Sequence, residues 1–245
     1  MEKASSESAR LVAATRELCD AVEKLKFSAP VAFVYNPLVY ARETHERYLE
    51  RFGNGKKRTI FLGMNPGPFG MAQTGIPFGE IDAVQSWLGI FGFVGKPPRE
   101  HPAKPVEGFA CPRSEVSGKR LWSLFKTRFE TPEKFFAKHF VANFCPLLFV
   151  ADNERGKNLT PENLVPAERD ALNAPCDVFL RRLAEILEPE WLVGVGNFAE
   201  TAARRALAGT PVKIARVIHP SPASPAANKD WAGKATATLE ALGIW

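Results

Sequence analysis

The chain has 245 residues, 45% of them hydrophobic, and a formal net charge of +5 at pH 7. This length and composition suit one globular domain with a sizeable core, or at most two. No apolar run is long enough to cross a bilayer, and the charged N-terminal segment is unlike a signal peptide, so a membrane or secreted protein is not expected. We therefore expect an intracellular protein, whose basic charge is compatible with nucleic acid without requiring it.

Short apolar strands alternate with helical patterns along the chain. Helices are predicted at residues 6–26, 42–52, 81–91, 118–129, 166–187, 197–209 and 224–243. Residues 31–38 are predicted to be extended, residues 95–112 to form a loop, and strands to lie at residues 58–63, 139–150, 191–196 and 212–220. This alternation predicts an α/β fold, a three-layer α/β/α arrangement around a central, mainly parallel four-stranded sheet.

Polar side chains lie where three of these strands end. Asn65 follows the first strand of the predicted sheet, Asn143 lies at the second, and His219 follows the fourth. Ligands of open parallel sheets bind outside the carboxyl ends of the strands. We therefore expect these three side chains to meet in one crevice, although they are distant in sequence.

Residues 63–80, GMNPGPFGMAQTGIPFGE, combine Gly and Pro with large apolar side chains. Glycine lets the main chain turn tightly and approach a ligand closely, and proline stiffens the loop. The segment matches neither GxxxxGK[ST] nor GxGxxG, so binding of a nucleotide phosphate is weakly supported. Met64, Met71 and Phe78 can instead line a slot for a flat organic ligand, on which an aromatic ring stacks. The alternative is that these three side chains belong to the core.

A second segment, IHPSPASP, occupies residues 218–225. Ser221 and Ser224 stand at the entrance to the last predicted helix, where N-cap residues lie and exposed N–H groups favour a phosphate. His219 is placed to point into the same crevice as Asn65. The alternative is that this histidine only makes a structural hydrogen bond.

The four cysteines, Cys19, Cys111, Cys145 and Cys176, are far apart and form no CxxC pair. This spacing suggests neither a disulfide framework nor a zinc site. We expect free, mostly buried thiols.

Residues 63–80 and the segment HPSPASPAANKDW resemble the two signature motifs of the single-strand-selective monofunctional uracil-DNA glycosylases, one family of the uracil-DNA glycosylase superfamily. The segments SEVSGKRLW, NFCPLLF, NLTPENL and VGVGNFAE also resemble that family, in the same order. The resemblance runs from about residue 31 to residue 243. It implies a single glycosylase domain over residues 1–245, in which residues 1–28 are a less characteristic N-terminal helix.

The resemblance also implies roles for individual residues. Asn65 matches the position that positions or polarises the attacking water, and His219 matches the histidine that stabilises negative charge on the leaving uracil. Asn143 matches the asparagine that reads the uracil edge, and Phe78 matches the ring that stacks on the extruded base. Further contacts are expected with the base from Met64, Gly67 and Met71, the last two near the pyrimidine 5-position, and with DNA from Ser221, Ser224 and Lys229.

The family uses no metal or cofactor, and the cysteine spacing does not support the iron–sulfur cluster that a related family carries. One position departs from the family pattern. After HPSP the family commonly presents an arginine that helps to wedge into the DNA stack, and this chain has Ala223 there. We expect the wedge to be weaker or to come from another residue such as Lys229, which would affect base flipping in duplex DNA rather than chemistry in the pocket.

These observations together predict a monomer that acts on DNA, extrudes uracil or a 5-substituted uracil, and hydrolyses its N-glycosidic bond to leave an abasic site. Three alternatives stay open at this point. The same pocket could be tuned to deaminated purines such as xanthine, the protein could bind DNA without catalysis, or it could hydrolyse free nucleosides.

Overall fold

Seven strands in two sheets form the framework of the computed structural model, which describes residues 5–245. The strands are β1 (Val31–Tyr35), β2 (Thr59–Gly63), β3 (His139–Asn143), β4 (Leu148–Ala151), β5 (Asn158–Leu159), β6 (Trp191–Val195) and β7 (Lys213–Val217). The α-helices are α1 (Glu7–Val22), α2 (Pro37–Tyr40), α3 (Arg42–Phe52), α4 (Met71–Thr74), α5 (Val116–Phe129), α6 (Pro132–Phe136), α7 (Pro166–Leu187), α8 (Asn197–Ala206) and α9 (Pro225–Ala241). Residues 1–4 of the predicted domain lie outside the described residues.

The larger sheet has the strand order β3-β2-β6-β7, and all of its pairs are parallel. Every residue of β2 and β3 is buried, as expected for strands that are covered on both faces. Two groups of helices cover this sheet. One group consists of α1, α3, α7 and α8, and the other of α5, α6 and α9. The predicted three-layer α/β/α fold around a parallel four-stranded sheet is therefore confirmed.

The strand register brings the carboxyl ends of the sheet to one edge. Gly63 at the end of β2 pairs with Asn143 at the end of β3, and Val195 of β6 pairs with Val217 of β7. The loops that leave this edge therefore emerge side by side. Two of them carry Asn65 and His219, which are remote in sequence.

The apolar run at residues 139–150, which the sequence predicts as one strand that ends near the segment NFCPL, forms two strands. The chain forms β3 and then β4, which belongs to the smaller antiparallel sheet of order β1-β4-β5. Beyond β3, the N–H groups of Phe144 and Cys145 still bond to the carbonyls of Gly63 and Met64. Pro146 has no N–H to continue this ladder, so the chain turns there and β4 begins at Leu148.

Three further elements are shorter than predicted, and a fourth is kinked. Asn36 ends β1 because its side chain accepts the N–H of Leu38 and caps α2. Residues 81–91 contain one π-helical turn, Ala83–Trp87, after which Gly89 adopts a φ of 62°. The predicted helix at 224–243 is interrupted by a kink at Asp230, where φ is −165°. Helix α8 ends at Ala206, before its predicted end at Gly209.

The four cysteines are buried and free, as predicted. Among residues 5–245, no helix combines the length and the hydrophobicity that crossing a membrane requires.

An aromatic cluster fixes the outer strand of the sheet to α3. Tyr48 of α3 is fully buried and lies against the rings of Phe52, Phe136 and Phe140. Its hydroxyl donates a hydrogen bond of 2.8 Å to the carbonyl of Val141 in β3. Because β3 is an edge strand, this bond satisfies a strand carbonyl that has no neighbouring strand to pair with.

We predict that Tyr48→Phe lowers the free energy of unfolding by about 1–3 kcal/mol, because the Val141 carbonyl then stays buried without a partner. Urea unfolding followed by tryptophan fluorescence measures this loss. Val178→Ala at an exposed site on α7 serves as the control and should change the value by no more than about 0.5 kcal/mol. An equal effect of the two substitutions would contradict the prediction.

Candidate active site

A cleft of about 300 Å³ opens at the carboxyl edge of the parallel sheet. Seven of the side chains or main-chain segments predicted to form a site line it: Met64, Asn65, Gly67, Phe78, Asn143, His219 and Ser221. The other three predicted residues lie elsewhere. Met71 is buried behind Asn143, Ser224 lines a neighbouring cleft, and Lys229 lies in a groove between α5 and α9.

Gly63 provides the room in which two of these residues meet. A Cβ atom at this position would overlap the Oδ1 atom of Asn143 and the ring of Phe78. The absence of a side chain at the end of β2 is therefore what lets the Asn143 amide and the Phe78 ring lie beside each other. The signal in the sequence is a glycine that ends an apolar strand, yet the neighbours it accommodates come from two other segments.

Asn143 is buried at the end of β3, and its Nδ2 atom donates to the Sδ atom of Met71 at 3.3 Å. A thioether is a weak acceptor, so this contact orients the amide without using much of its hydrogen-bonding capacity. Met71 lies at the start of α4, behind the amide. In this position it supports Asn143 and does not form part of the cleft wall.

Asn65 is held by the segment that joins β3 to β4. Its Nδ2 atom donates to the Leu147 carbonyl at 3.1 Å. This bond assigns the orientation of the amide and leaves the Oδ1 atom, which accepts no hydrogen bond from residues 5–245, for a ligand or a water in the cleft. A neutral amide oxygen can hold and orient a water, but it is a poor base.

Phe78 has a main-chain conformation that a bulky residue rarely adopts, with a φ of 54°. Its carbonyl accepts hydrogen bonds from Trp122 Nε1 at 3.0 Å and from the N–H of Glu80 at 2.7 Å. Gly118 of α5 lies directly against this carbonyl. The ring centroid is 6.3 Å from that of His219, and the two planes are inclined by 37°. The surrounding contacts therefore hold the ring at one wall of the cleft.

His219 has a defined tautomer. Its Nδ1 atom accepts the main-chain N–H of Ser221 at 3.1 Å, so the ring proton of the neutral imidazole is on Nε2. Burial lowers the pKa of His219 below its usual value, which keeps the ring neutral at pH 7. The result is a neutral N–H donor whose only assigned partner among residues 5–245 is at the opposite nitrogen.

Four residues that line the cleft were not singled out from the sequence: Glu115, Ser117, Asn158 and Thr160. They lie in the segments SEVSGKRLW and NLTPENL, which carry the family resemblance but show no spacing that marks a site. Glu115 is the charged member of this set. Its side chain lies against Gly67 and Gly70, near the main-chain N–H of Phe69. Burial raises the pKa of its carboxyl group, and the N–H of Phe69 opposes that shift.

We predict that Glu115→Gln raises the melting temperature at pH 8 relative to the wild type, and by less at pH 4. A carboxyl whose folded-state pKa is raised by burial contributes its full stability only below the unfolded pKa, and that stability is lost as the pH rises through the folded pKa. Glutamine keeps an oxygen near the Phe69 N–H but carries no charge. Thermal unfolding at the two pH values measures the difference.

The exposed Glu107, in the same loop region, gives the matched control as Glu107→Gln, which should leave both melting temperatures close to those of the wild type. A Glu115→Gln protein that melts lower than the wild type by the same amount at both pH values would contradict the prediction.

Comparison with known proteins shows the family of the chain. The family model described as the uracil DNA glycosylase superfamily matches residues 50–240. The single-strand selective monofunctional uracil-DNA glycosylase of Rattus norvegicus is 51% identical over 225 residues, which cover 91% of this chain and 80% of the rat protein. The Bos taurus protein of the same name is 49% identical over 229 residues, which cover 93% of this chain and 84% of the bovine protein.

The crystal structure of SMUG2 from Pedobacter heparinus resembles this structure with a TM-score of 0.66, and the match covers 95% of this chain and 99% of that chain. At 18% identity this likeness shows the shared fold alone. The family model and the near-half identity to the mammalian proteins show more than the fold. The chain belongs to the single-strand-selective monofunctional uracil-DNA glycosylases, within the uracil DNA glycosylase superfamily.

Proposed function

We propose that the protein is a DNA glycosylase that hydrolyses the N-glycosidic bond of uracil and 5-substituted uracils extruded from DNA. The observation that carries this proposal is the convergence of Asn65, Asn143 and His219 around one cleft with the Phe78 ring at its wall. The cleft volume of about 300 Å³ is at the small end of ligand sites, which suits a single nucleotide. The printed names of the mammalian relatives support the same activity.

Asn143 selects the base in this proposal. The Asn143 amide can accept a hydrogen bond from N3–H of uracil and donate one to O4. Cytosine presents the opposite pattern at these two atoms, so its binding would leave buried polar groups without partners, at a cost that discriminates strongly. The ring of Phe78 provides the surface on which the extruded base stacks, worth about 1–3 kcal/mol.

His219 and Asn65 act on the reaction itself. As the glycosidic bond breaks, the sugar becomes cationic in character and the base leaves as an anion. The neutral Nε2–H of His219 can donate to the leaving base where this charge develops, and a preorganised donor of this kind contributes about 10²–10³ in rate. The Asn65 amide oxygen can hold a water in line with the sugar carbon, which is an effect of orientation.

Water is the proposed nucleophile because no lysine is among the residues that line the cleft within residues 5–245. Hydrolysis then leaves an intact abasic site, as the term monofunctional implies. Gly67 is proposed to lie at the pyrimidine 5-position, with the Glu115 side chain against it, while Met71 supports Asn143. Ser221 is proposed to contact the DNA backbone next to His219. Ser224 and Lys229, which line other surfaces, are proposed as more distant DNA contacts.

The protein is proposed to act as a monomer, as the family resemblance implies. It is proposed to work where the DNA is, on a uracil in either single-stranded or duplex substrate. Excision of uracil, 5-hydroxymethyluracil, hypoxanthine and xanthine from matched oligonucleotides would rank the lesions, and preference for xanthine would favour the purine alternative. Tight, salt-sensitive DNA binding without any abasic product would favour the non-catalytic alternative. Activity on free deoxyuridine alone would favour a nucleoside hydrolase.

We predict that Asn65→Ala and His219→Ala each lower the single-turnover rate of uracil excision by about 10²–10³, because one loses water orientation and the other loses the donor to the leaving base. Asn143→Ala should lose rate and also discrimination of uracil from cytosine. Alkaline cleavage of a labelled oligonucleotide measures the abasic product. Asn173→Ala on α7 removes a remote amide and should excise at the wild-type rate. Wild-type rates in all three site variants would refute the proposal.

We predict that excision by the wild type is constant through neutral pH and falls only below about pH 6.5, the ordinary pKa of histidine. Burial lowers the pKa of His219, and protonation of Nδ1 would break the hydrogen bond from Ser221 and shift the ring. A single-turnover pH profile measures this. Glu115 also titrates in the cleft, so the profile of Glu115→Gln separates the two groups, and an acid limb above pH 7 that persists in this variant would contradict the assignment to a neutral His219.

A further inference from the structure

Phe69 lies in residues 63–80, the glycine-rich loop, and has no part in the mechanism proposed above. Two cations nevertheless lie over its ring. The guanidinium carbon of Arg113 is 3.8 Å from the ring centroid, and the Nζ atom of Lys104 is 5.3 Å from it. Phe69 does not line the cleft itself. Lys104 lies within the 95–112 loop, and Arg113 follows the end of that loop. The cation–π contacts place both charged groups beside the same ring.

Neither cation forms an ion pair within residues 5–245. Within residues 5–245, no carboxylate oxygen lies within 4.0 Å of Lys104 or Arg113, although many other basic side chains form such pairs. Burial and the charge of Arg113 lower the pKa of Lys104. Two like charges close to each other without a counter-ion are unfavourable, and a bound anion would relieve this repulsion.

The pair lies at the rim of the cleft. The main-chain N–H of Phe69 lies near the carboxyl group of Glu115, which follows Arg113 by two residues. The Glu115 side chain in turn lies against Gly67, and both line the cleft. Lys104 is anchored separately, because its carbonyl accepts the Tyr35 hydroxyl at 2.9 Å and its N–H bonds to the His101 carbonyl at 2.8 Å. The two cations are therefore held beside the entrance, on the Gly67 side.

We propose that Lys104 and Arg113, held over the ring of Phe69, bind a backbone phosphate of the DNA strand beside the extruded nucleotide. The proposal rests on the function proposed above and identifies part of its DNA-binding surface. A phosphate is favoured over a stacked base because the Arg113 guanidinium already covers the ring of Phe69. A guanidinium can also bind two phosphate oxygens at once, while the lysine adds a point charge.

This site has particular weight in this chain. The 218–225 segment contributes His219 and Ser221 to the cleft and has Ala223 in its exposed part. The exposed residues of that segment near His219, Pro222 and Ala223, provide neither charge nor a large side chain. A phosphate held at the Gly67 rim would give the strand a second fixed point when the 218–225 rim offers only a weak one.

The test compares Lys104→Gln, Arg113→Gln and the double variant with the wild type in binding to a uracil-containing single-stranded oligonucleotide, in which Kd is measured against KCl concentration. Each phosphate neutralised on a single strand contributes about 0.7 to the slope of log K against log salt, so the double variant should lose about 0.7 if the two cations bind one phosphate. Arg113→Lys should restore most of the slope that Arg113→Gln loses. The control, Arg10→Gln with Lys24→Gln, removes two charges from exposed positions in the α1 region. It should change the slope little.

A second arm locates the phosphate. Oligonucleotides that carry a single uncharged methylphosphonate at each position near the uracil should show one position whose neutralisation weakens the wild type several-fold and the double variant hardly at all. An unchanged salt slope in a double variant that melts like the wild type, or the absence of any such position, would overturn the proposal. Uracil excision by the wild type is measured alongside, so that failure of the phosphate site is distinguished from failure of the proposed function.

Discussion

The active-site geometry depends on one missing side chain, at Gly63. In a parallel pair, residues in register place their side chains on the same face of the sheet, so Asn143 of β3 lies next to whatever occupies position 63 of β2. Any Cβ atom there would overlap the Asn143 amide and the Phe78 ring. The backbone of Gly63 is that of an ordinary strand, since its φ is not positive. Its role is to leave space, and the base-recognition amide and the stacking ring both occupy that space.

The Phe78 ring needs a second support because its backbone conformation is unfavourable. A bulky residue with positive φ costs about 1–3 kcal/mol and persists only where its surroundings compensate. Helix α5 provides that compensation: Trp122 donates to the Phe78 carbonyl, and Gly118 lets the helix approach it. The same helix begins next to Glu115, which lies under the glycine-rich loop. One wall of the cleft and its floor loop are thus both positioned by α5, so packing of this helix in the aromatic core bears directly on the site.

Sequence reasoning predicted the parts of this structure that follow from periodicity and strand ends. The four parallel strands, the long helix α7 and the convergence of Asn65, Asn143 and His219 at one edge all follow from an alternating βα pattern. The separate strand β4 could not be predicted, because the apolar run continues past Pro146 without a change that marks a new strand. The positions of Met71, Ser224 and Lys229 could not be predicted either. They depend on how α4 and the start of α9 pack against the rest of the fold.

Glu115 was missed for a related reason. A single glutamate before a helix is ordinarily an exposed first-turn or capping residue, and its side chain here makes no cap hydrogen bond. It instead turns towards Gly67 and Gly70, where two glycines leave room for it. Such a contact depends on two loops meeting in space and leaves no trace in residue spacing. The same limit applies to the cations over Phe69, since Lys104 and Arg113 meet only where both contact that ring.

The arrangement separates groups that read the base from groups that hold the strand. Inside the cleft, the amides of Asn65 and Asn143 and the neutral imidazole of His219 carry no full charge, and the one carboxyl group has its pKa raised by burial. Hydrogen bonds to a base are stronger in a cleft that is partly shielded from water, and His219 places a donor where charge appears during bond cleavage. Full positive charges in such a pocket would attract any phosphate into it. Lys104 and Arg113 contact Phe69 outside the cleft, so they attract the DNA backbone at the rim. The extruded base is then selected by hydrogen bonding and stacking.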